Sequence, residues 1–502
     1  MPSFAPPIPD VRPAQTNPFA SRFAIALGLA ALADWLFYGE RIGLSFVLFA
    51  IALMGCSLLA NRAATDGRRR LIAGLVLIAG IIPAIEELNL LSFAFTVLAL
   101  GLGVLVTTNP DTDGLADRAR ALLGLFLFGP FRLIRDAAGS LNVPALASGF
   151  VVWFVPIVLG GVFAALFASA NPLIEKWFAQ LNPGNTASQV NLDRVLFWLV
   201  ALSIVWPFIH VRWRPRTVAA KIPADSAADE SAPSVESNSV DFFGVATVLR
   251  SLILFNLLFA VQTILDMIYL WGDAALPADI TYAAYAHRGA YPLIVTALLA
   301  AGFVLIAMKP GGPAERSPVI RPLVYLWVAQ NVMLVVSSIL RLDLYVQIYL
   351  LTYWRIAAFV WMSLVAIGLV SIVARIALRR SDDWLIRANL ITLTGTLYIC
   401  SLVNFAAIIA DYNVAHSREA SGKGVMIDLH YLSLLGPQAL PALDKAFQLR
   451  AVDTSLVSHR NSLVERLRRD TASWRAWSFR EWRLQQHIAA QDQQQTPTGW
   501  AQ

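Results

Sequence analysis

The sequence predicts an all-α, polytopic membrane protein of about eleven transmembrane helices, with a small soluble helical region at the C-terminus. Three observations predict it. Of 502 residues, 57% are hydrophobic and 14% are charged, against roughly 25% charged in soluble domains. The apolar residues gather in runs close to the roughly 20 residues needed to cross the hydrocarbon of a bilayer. Basic residues cluster at the ends of these runs, as in Arg68, Arg69 and Arg70 or Arg375, Arg379 and Arg380, which orients spans with their basic loops inside. These loops also account for the net charge of +6, so the expected partners are membrane lipids and not nucleic acid. Protein partners are not legible in the sequence. Cys56 and Cys400, the two cysteines, both fall inside predicted spans. They supply neither a disulfide framework nor a Cys-rich metal site.

Residues 1–20 contain six prolines and little periodicity, and read as a disordered cytoplasmic tail. Residues 21–213 form a first membrane block of about six spans. Phe23–Phe37 is its first span. Ala31-Leu32-Ala33 resembles a signal-peptidase site, but the long leader and an apolar run continuing past Asp34 favour an uncleaved anchor. Ile42–Leu59, Leu71–Ile85 and Leu88–Val106 follow, with Glu86-Glu87 expected as a solvated outer hairpin tip. The segment 115–141 differs. Arg118, Arg120, Arg132 and Arg135 flank a short apolar core around Gly129-Pro130, which suits a kinked helix lying on the inner surface. Ser148–Ala170, an outer loop and Leu192–His210 complete the block.

Residues 214–241 are rich in Pro, Ala, Ser and acids and read as a disordered linker. Residues 242–411 form a second block of about five spans: Val245–Leu270, Ala290–Met308, Pro322–Leu340, Ile356–Ala377 and Ala388–Ala410. No internal repeat relates the two blocks, so the pattern does not predict an inverted-repeat transporter. The charge pattern places the N-terminus in the cytoplasm and the C-terminus outside. Residues 412–502 form a soluble helical tail. Asp428–Leu435 is a short helix that Gly436 ends before Pro437 starts another. Trp474, Trp477 and Trp482 alternate with Arg475, Arg480 and Arg483, as in a helix lying in the lipid interface or on a solvated surface.

NLLFAVQTILDMIYLWG, YAAYAHRGAYPLIVTALL, YLWVAQNVMLVVSSILRLDLY and DLHYLSLLGPQALPAL resemble segments of a family of bacterial multi-pass inner-membrane proteins, a domain of unknown function. The resemblance is most specific over 252–443. It implies a bacterial inner-membrane location and an all-helical architecture, and carries no activity, cofactor or catalytic residue.

Ionisable side chains inside spans are costly and mark candidate sites. The stretch from Asp266 to Pro292 concentrates acids, aromatics and the pair His287-Arg288. With Arg341, Asp343 and Arg355 these charges share one expected depth on the outer side. Asp266, His287, Arg288, Arg341, Asp343 and Arg355 therefore form either a salt-bridged structural network or a ligand site. Asn256, Gln262, Gln330, Asn331, Asn404 and Asp411 are the intramembrane polar residues. They either line a path or hydrogen-bond neighbouring helices. Tyr345, Tyr349 and Tyr353 would form one stripe on a helix, as an interfacial belt or a substrate platform. Asp411, His416, Glu419, Asp428 and His430 have ligand chemistry for zinc, but their spacing matches no compact motif. No phosphate-binding loop, dinucleotide fingerprint, zinc-protease helix or nucleophile elbow is present, and no cofactor is expected.

Three function classes remain open. One is a transporter or channel lined by the amides and Asp266. Another is an outer-face enzyme such as a lipid-linked-donor transferase, using Asp34 or the Asp266, Arg288, Arg341 and Asp343 group. The last is a non-catalytic scaffold or sensor.

Overall fold

The computed structural model describes residues 18–61, 66–109, 114–133, 135–136, 192–211, 213, 245–272, 299, 302–303, 317–449 and 454–495. Every regular element among them is helical. Among the described residues, six helices are long and apolar enough to cross a membrane by length and composition. The expected fifth span, the linker, the span at 290–308 apart from residues 299 and 302–303, and the pair His287-Arg288 lie outside the described residues. The chain divides into two compact units, residues 1–220 with 470–482, and residues 221–469 with 483–502.

The first unit contains α1 (Pro18–Phe37), α2 (Leu44–Ala60), α3 (Gly67–Glu86), α4 (Leu90–Thr108), α5 (Leu115–Phe128) and α6 (Leu192–Ile209). Ala26, Ala30 and Ala33 repeat at helical spacing on α1. Their small side chains let it pack closely within a core that includes Leu53, Val205, Trp206 and Ile209. The direction of packing follows from specific contacts. Asp34 pairs with Arg194 while Phe19 meets Trp206 at 5.3 Å, so α1 and α6 are antiparallel. The Ser57 hydroxyl donates to the Phe208 carbonyl at 2.7 Å, which sets the end of α2 beside the end of α6. In the α3–α4 hairpin the Thr96 hydroxyl donates to the Gly80 carbonyl at 3.0 Å. A Cβ on Gly80 would lie 2.2 Å from that of Ala99, so only glycine permits this approach. Asn89 caps α4, accepting from the Ser92 N–H at 3.0 Å, and Ser92 returns the bond. α5 stops at Gly129-Pro130, where the sequence predicts a kink.

The second unit contains α7 (Val245–Tyr269), α8 (Ile320–Tyr349), α9 (Tyr353–Ala377), α10 (Asp382–Leu402), α11 (Phe405–Ala415), α12 (Leu429–Leu434), α13 (Leu440–Leu449), α14 (Thr454–Asp470) and α15 (Phe479–Gln495), the last residue of α14 and the first turn of α15 belonging to the first unit. α7, α8 and α9 share a core of Val248, Leu252, Val324, Trp327, Val335, Met362 and Leu369. A second core joins Val346 and Leu351 to α11–α15 through Ile409, Leu432, Leu440, Leu443, Leu463 and Leu484.

Several expectations change. The span expected at 388–410 is two helices, α10 and α11, broken at Val403-Asn404. The span expected to end at Leu340 continues to Tyr349, a 30-residue helix. At about 1.5 Å per residue that is about 45 Å, longer than the roughly 30 Å hydrocarbon core. The Trp- and Arg-rich tail is not one helix. Trp474–Ala476 is a 3₁₀ turn, and α15 begins only at Phe479. Asp428 caps α12, accepting from the Tyr431 N–H at 2.9 Å, and Gly436 takes a φ of 80° before Pro437, which matches the expected helix stop.

Candidate functional site

The polar groups of the second unit are organised by the packing of α7 on α8. Val248, Leu252, Phe255, Phe259, Gln262 and Asp266 recur at alternating steps of four and three along α7. Leu323, Trp327, Gln330, Leu334, Ser337 and Arg341 do the same along α8. This is the spacing of two helices packed along a common seam. Gln330 Nε2 donates to the Asn256 carbonyl at 3.3 Å, and further along Arg341 pairs with Asp266. Later residues of α7 thus meet later residues of α8, and the two helices run parallel.

Asp266 and Arg341 close the seam. Asp266 is 1% exposed and Arg341 4%. Arg341 Nη2 donates to Asp266 Oδ1, and Gln262 Nε2 donates to the same oxygen at 2.9 Å, from one turn back on α7. Deeper in the seam, Asn256 Nδ2 donates to the carbonyls of Leu252 at 2.7 Å and Leu323 at 3.2 Å. Asn331 Nδ2 donates to the Trp327 carbonyl at 2.8 Å. The helix pair thus brings together Asp266, Arg341, Gln262, Asn256 and Gln330, with Asn331 next to Gln330 on α8.

The other predicted residues go elsewhere. Asp343, expected beside Arg341, is exposed and accepts from Gln347 Nε2 at 2.8 Å, because two residues along a helix is more than half a turn away. Arg355 caps the end of α8, donating to the carbonyls of Tyr349 at 2.6 Å and Leu350, with its guanidinium 4.6 Å above Tyr345. The tyrosine stripe ends at Tyr349, whose ring lies 4.7 Å from that of Tyr345. Tyr353 instead starts α9, and its N–H donates to the Tyr431 hydroxyl at 3.3 Å. Asn404 is not mid-span. It caps α11, accepting from the Ala407 N–H at 3.1 Å, and donates to Gln438 Oε1 at 2.8 Å. Asp411 is exposed and pairs with Lys445. Among the described residues no three His, Cys, Asp or Glu side chains gather to hold a metal. Glu419 accepts from the Ile427 N–H at 3.1 Å, and His416 Nδ1 lies 2.9 Å from the Tyr412 carbonyl.

Three groups escaped the sequence reading. Asn413 holds the α8–α9 turn, accepting from the Leu351 N–H at 2.7 Å and donating to its carbonyl at 3.0 Å. Leu350 there has a φ of 63°, which few non-glycine residues adopt. In the first unit, Asp136 accepts from Trp206 Nε1 at 3.1 Å and lies 3.2 Å from His210 Nδ1, both side chains being buried. Asp34 had a candidate acid role. It is held by Arg194, with Nε 3.0 Å from Oδ1 and Nη2 2.5 Å from Oδ2. No local sequence signal joins residues so far apart.

The third group is a clasp. Residues 470–482 fold onto the α1–α2 and α3–α4 turns of the first unit. The Leu44 N–H donates to the Trp477 carbonyl at 2.9 Å. A Cβ on Gly43 would lie 2.4 Å from the Ala476 carbonyl oxygen, so the backbones meet only at a glycine. Arg475 Nη1 reaches Glu40 at 2.9 Å, and Arg41 pairs with Asp470. Arg480, 5% exposed, pairs with both Glu86 and Glu87. These acids are therefore not a solvated tip but one wall of a docking site. Glu481 sits among them. Burial pushes its carboxyl above the ordinary range, reinforced by Asp470 and Glu87 and opposed by Ser478 and Arg41.

The model of one family, a domain of unknown function designated DUF4153, matches residues 23–446. No curated protein and no solved structure matches the chain. The family match spans both membrane blocks, a wider extent than the resemblance over 252–443. The chain belongs to the DUF4153 family of domains of unknown function.

Proposed function

We propose that this is a bacterial inner-membrane protein of transport-like function, in which the α7–α8 interface carries a small cation and the Asp266–Arg341 pair is its charged control point. One observation carries the reading: a buried carboxylate–guanidinium pair continues inward along a single helix seam into the amides of Gln330, Asn331 and Asn256. Intramembrane charges are rare and mark ion or proton pathways. A cation fits better than an anion because Arg341 is already engaged by Asp266.

The test is charge displacement in proteoliposomes on a solid support, after concentration jumps of protons, sodium, potassium and methylammonium. The wild type should give a current with at least one of these. Asp266→Asn/Arg341→Gln, which removes both charges and leaves two polar side chains, should lose most of it. A wild type no different from empty vesicles for all four would sink the proposal.

A second reading, a scaffold or sensor, is favoured by the clasp at 470–482, which ties part of the C-terminal tail to the first unit. It predicts that deleting residues 470–502 abolishes the cellular role while any current survives.

A further inference from the structure

The amides of the α7–α8 seam are all oriented the same way. Asn256 Nδ2 faces two carbonyls, Gln330 Nε2 faces a third, and Asn331 Nδ2 a fourth. This fixes which end of each amide is nitrogen, since the reverse assignment would set oxygen against oxygen. The oxygens are what remain. Asn256 Oδ1, Gln330 Oε1 and Asn331 Oδ1 are buried and accept no hydrogen bond from the described residues. Asn256 is 7% exposed and Asn331 1%. A buried acceptor without a donor costs free energy, more so in a membrane interior. Asn256 and Gln330 lie where α7 meets α8, and Asn331 is next to Gln330 on α8, so the three offer a set of neutral oxygen ligands.

The surroundings narrow the ligand. Trp327 lies one turn before Asn331, and Phe255 immediately before Asn256. Their rings stack at 5.2 Å, with Phe303 at 5.7 Å and Phe259 at 6.0 Å from Trp327. Aromatic faces attract cations, and neutral oxygens replace a cation's water shell. The nearest carboxylate on α7, Asp266, is neutralised by Arg341, so a dication would find no compensating charge there. Donor hydrogens on the ligand would satisfy the three acceptors directly. The Trp327 Nε1 hydrogen, also buried and without an acceptor among the described residues, would be met by a water entering with the ligand.

We propose that Asn256, Gln330 and Asn331 form a binding station, near the middle of α7, for a small monovalent cation of the ammonium class. This deepens the transport reading by naming the substrate class, and it rests on that reading for its role.

Binding is tested on the full chain in detergent, by melting temperature and tryptophan fluorescence, with ammonium, potassium or tetramethylammonium chloride at equal ionic strength. Ammonium should raise the melting temperature by roughly 2–4 °C. Potassium, with no donor hydrogens, and tetramethylammonium, with none and a larger size, should do far less. Gln330→Met/Asn331→Leu keeps the length and branching of both side chains and removes two acceptors, so it should fold and lose the ammonium response. Equal responses to all three salts, no response to ammonium, or an unchanged response in the double variant would overturn the station. A current without ammonium-specific stabilisation would overturn the station alone. Stabilisation without a current would overturn the transport reading alone.

Discussion

Asp266 and Arg341 are each costly at their position and are tolerated together. Neither has the solvent that would carry its charge, so losing one partner leaves the other uncompensated. Asp343, two residues further on, is exposed and accepts a hydrogen bond from Gln347 of its own helix. Arg341→Ala should therefore destabilise the protein in detergent by about 3–5 kcal/mol. Asp343→Ala should change stability by no more than about 0.5 kcal/mol. Thermal melts of the two variants check this. Equal losses would mean that the charges at this end of α8 act as one network, as the sequence allows. The contrast follows from helix geometry: 100° per residue separates side chains that look adjacent in the sequence.

Among the elements, the clasp at 470–482 has the clearest pH signature. Glu481 lies behind Ser478 at the start of α15 and faces Asp470, Glu87 and Arg41. Its folded carboxyl holds a proton above the ordinary value of 4.5. Its contribution to stability is thus fully present below 4.5 and is lost as pH rises through the raised folded value. Glu481→Gln keeps the hydrogen-bonding shape without the charge. The variant should match wild type at the acid end of this window and become increasingly more stable than it as pH rises. Paired melting curves across pH check the sign. A difference that shrinks with rising pH would mean that the ionised carboxylate is the stabilising form, most plausibly through Arg41.

For the whole molecule, each unit supplies its own statement about sidedness. In the first, the α1–α2 and α3–α4 turns share an end with residues 470–482. In the second, the α8–α9 turn shares an end with α11–α15, because Val346 and Leu351 lie in their core. The α9–α10 turn carries Arg379 and Arg380 at the opposite end of α9. From the positive-inside rule we predict that this turn faces the cytoplasm and that α11–α14 lie on the outer side. In a background with Cys56 and Cys400 replaced, a cysteine at Ser421 should react with an impermeant thiol reagent once the outer barrier is opened. One at Asp383 should react only after the inner membrane is breached. The reverse pattern would invert the topology of the second unit.

Apolar runs about one bilayer long, broken by arginine-rich loops, determined that the chain is helical and has the composition of a membrane protein, since a helix satisfies its own backbone hydrogen bonds in lipid. Local signals worked equally well at Asp428, Gly436 and Gly129-Pro130, where the backbone preference resides in the residue itself. Asp266 and Gln262 were legible as one face because a helix sets their spacing. Which charge Asp266 would meet was not legible, because it depends on the register of α7 against α8 across 75 residues. The break at Asn404, the pairing of Asp34 with Arg194 and the docking of Arg480 on Glu86 and Glu87 were hidden for the same reason. Each depends on which helix ends the fold brings together. Only tertiary packing, which ranks many near-equivalent apolar contacts against a few ion pairs and close glycine approaches, makes that choice.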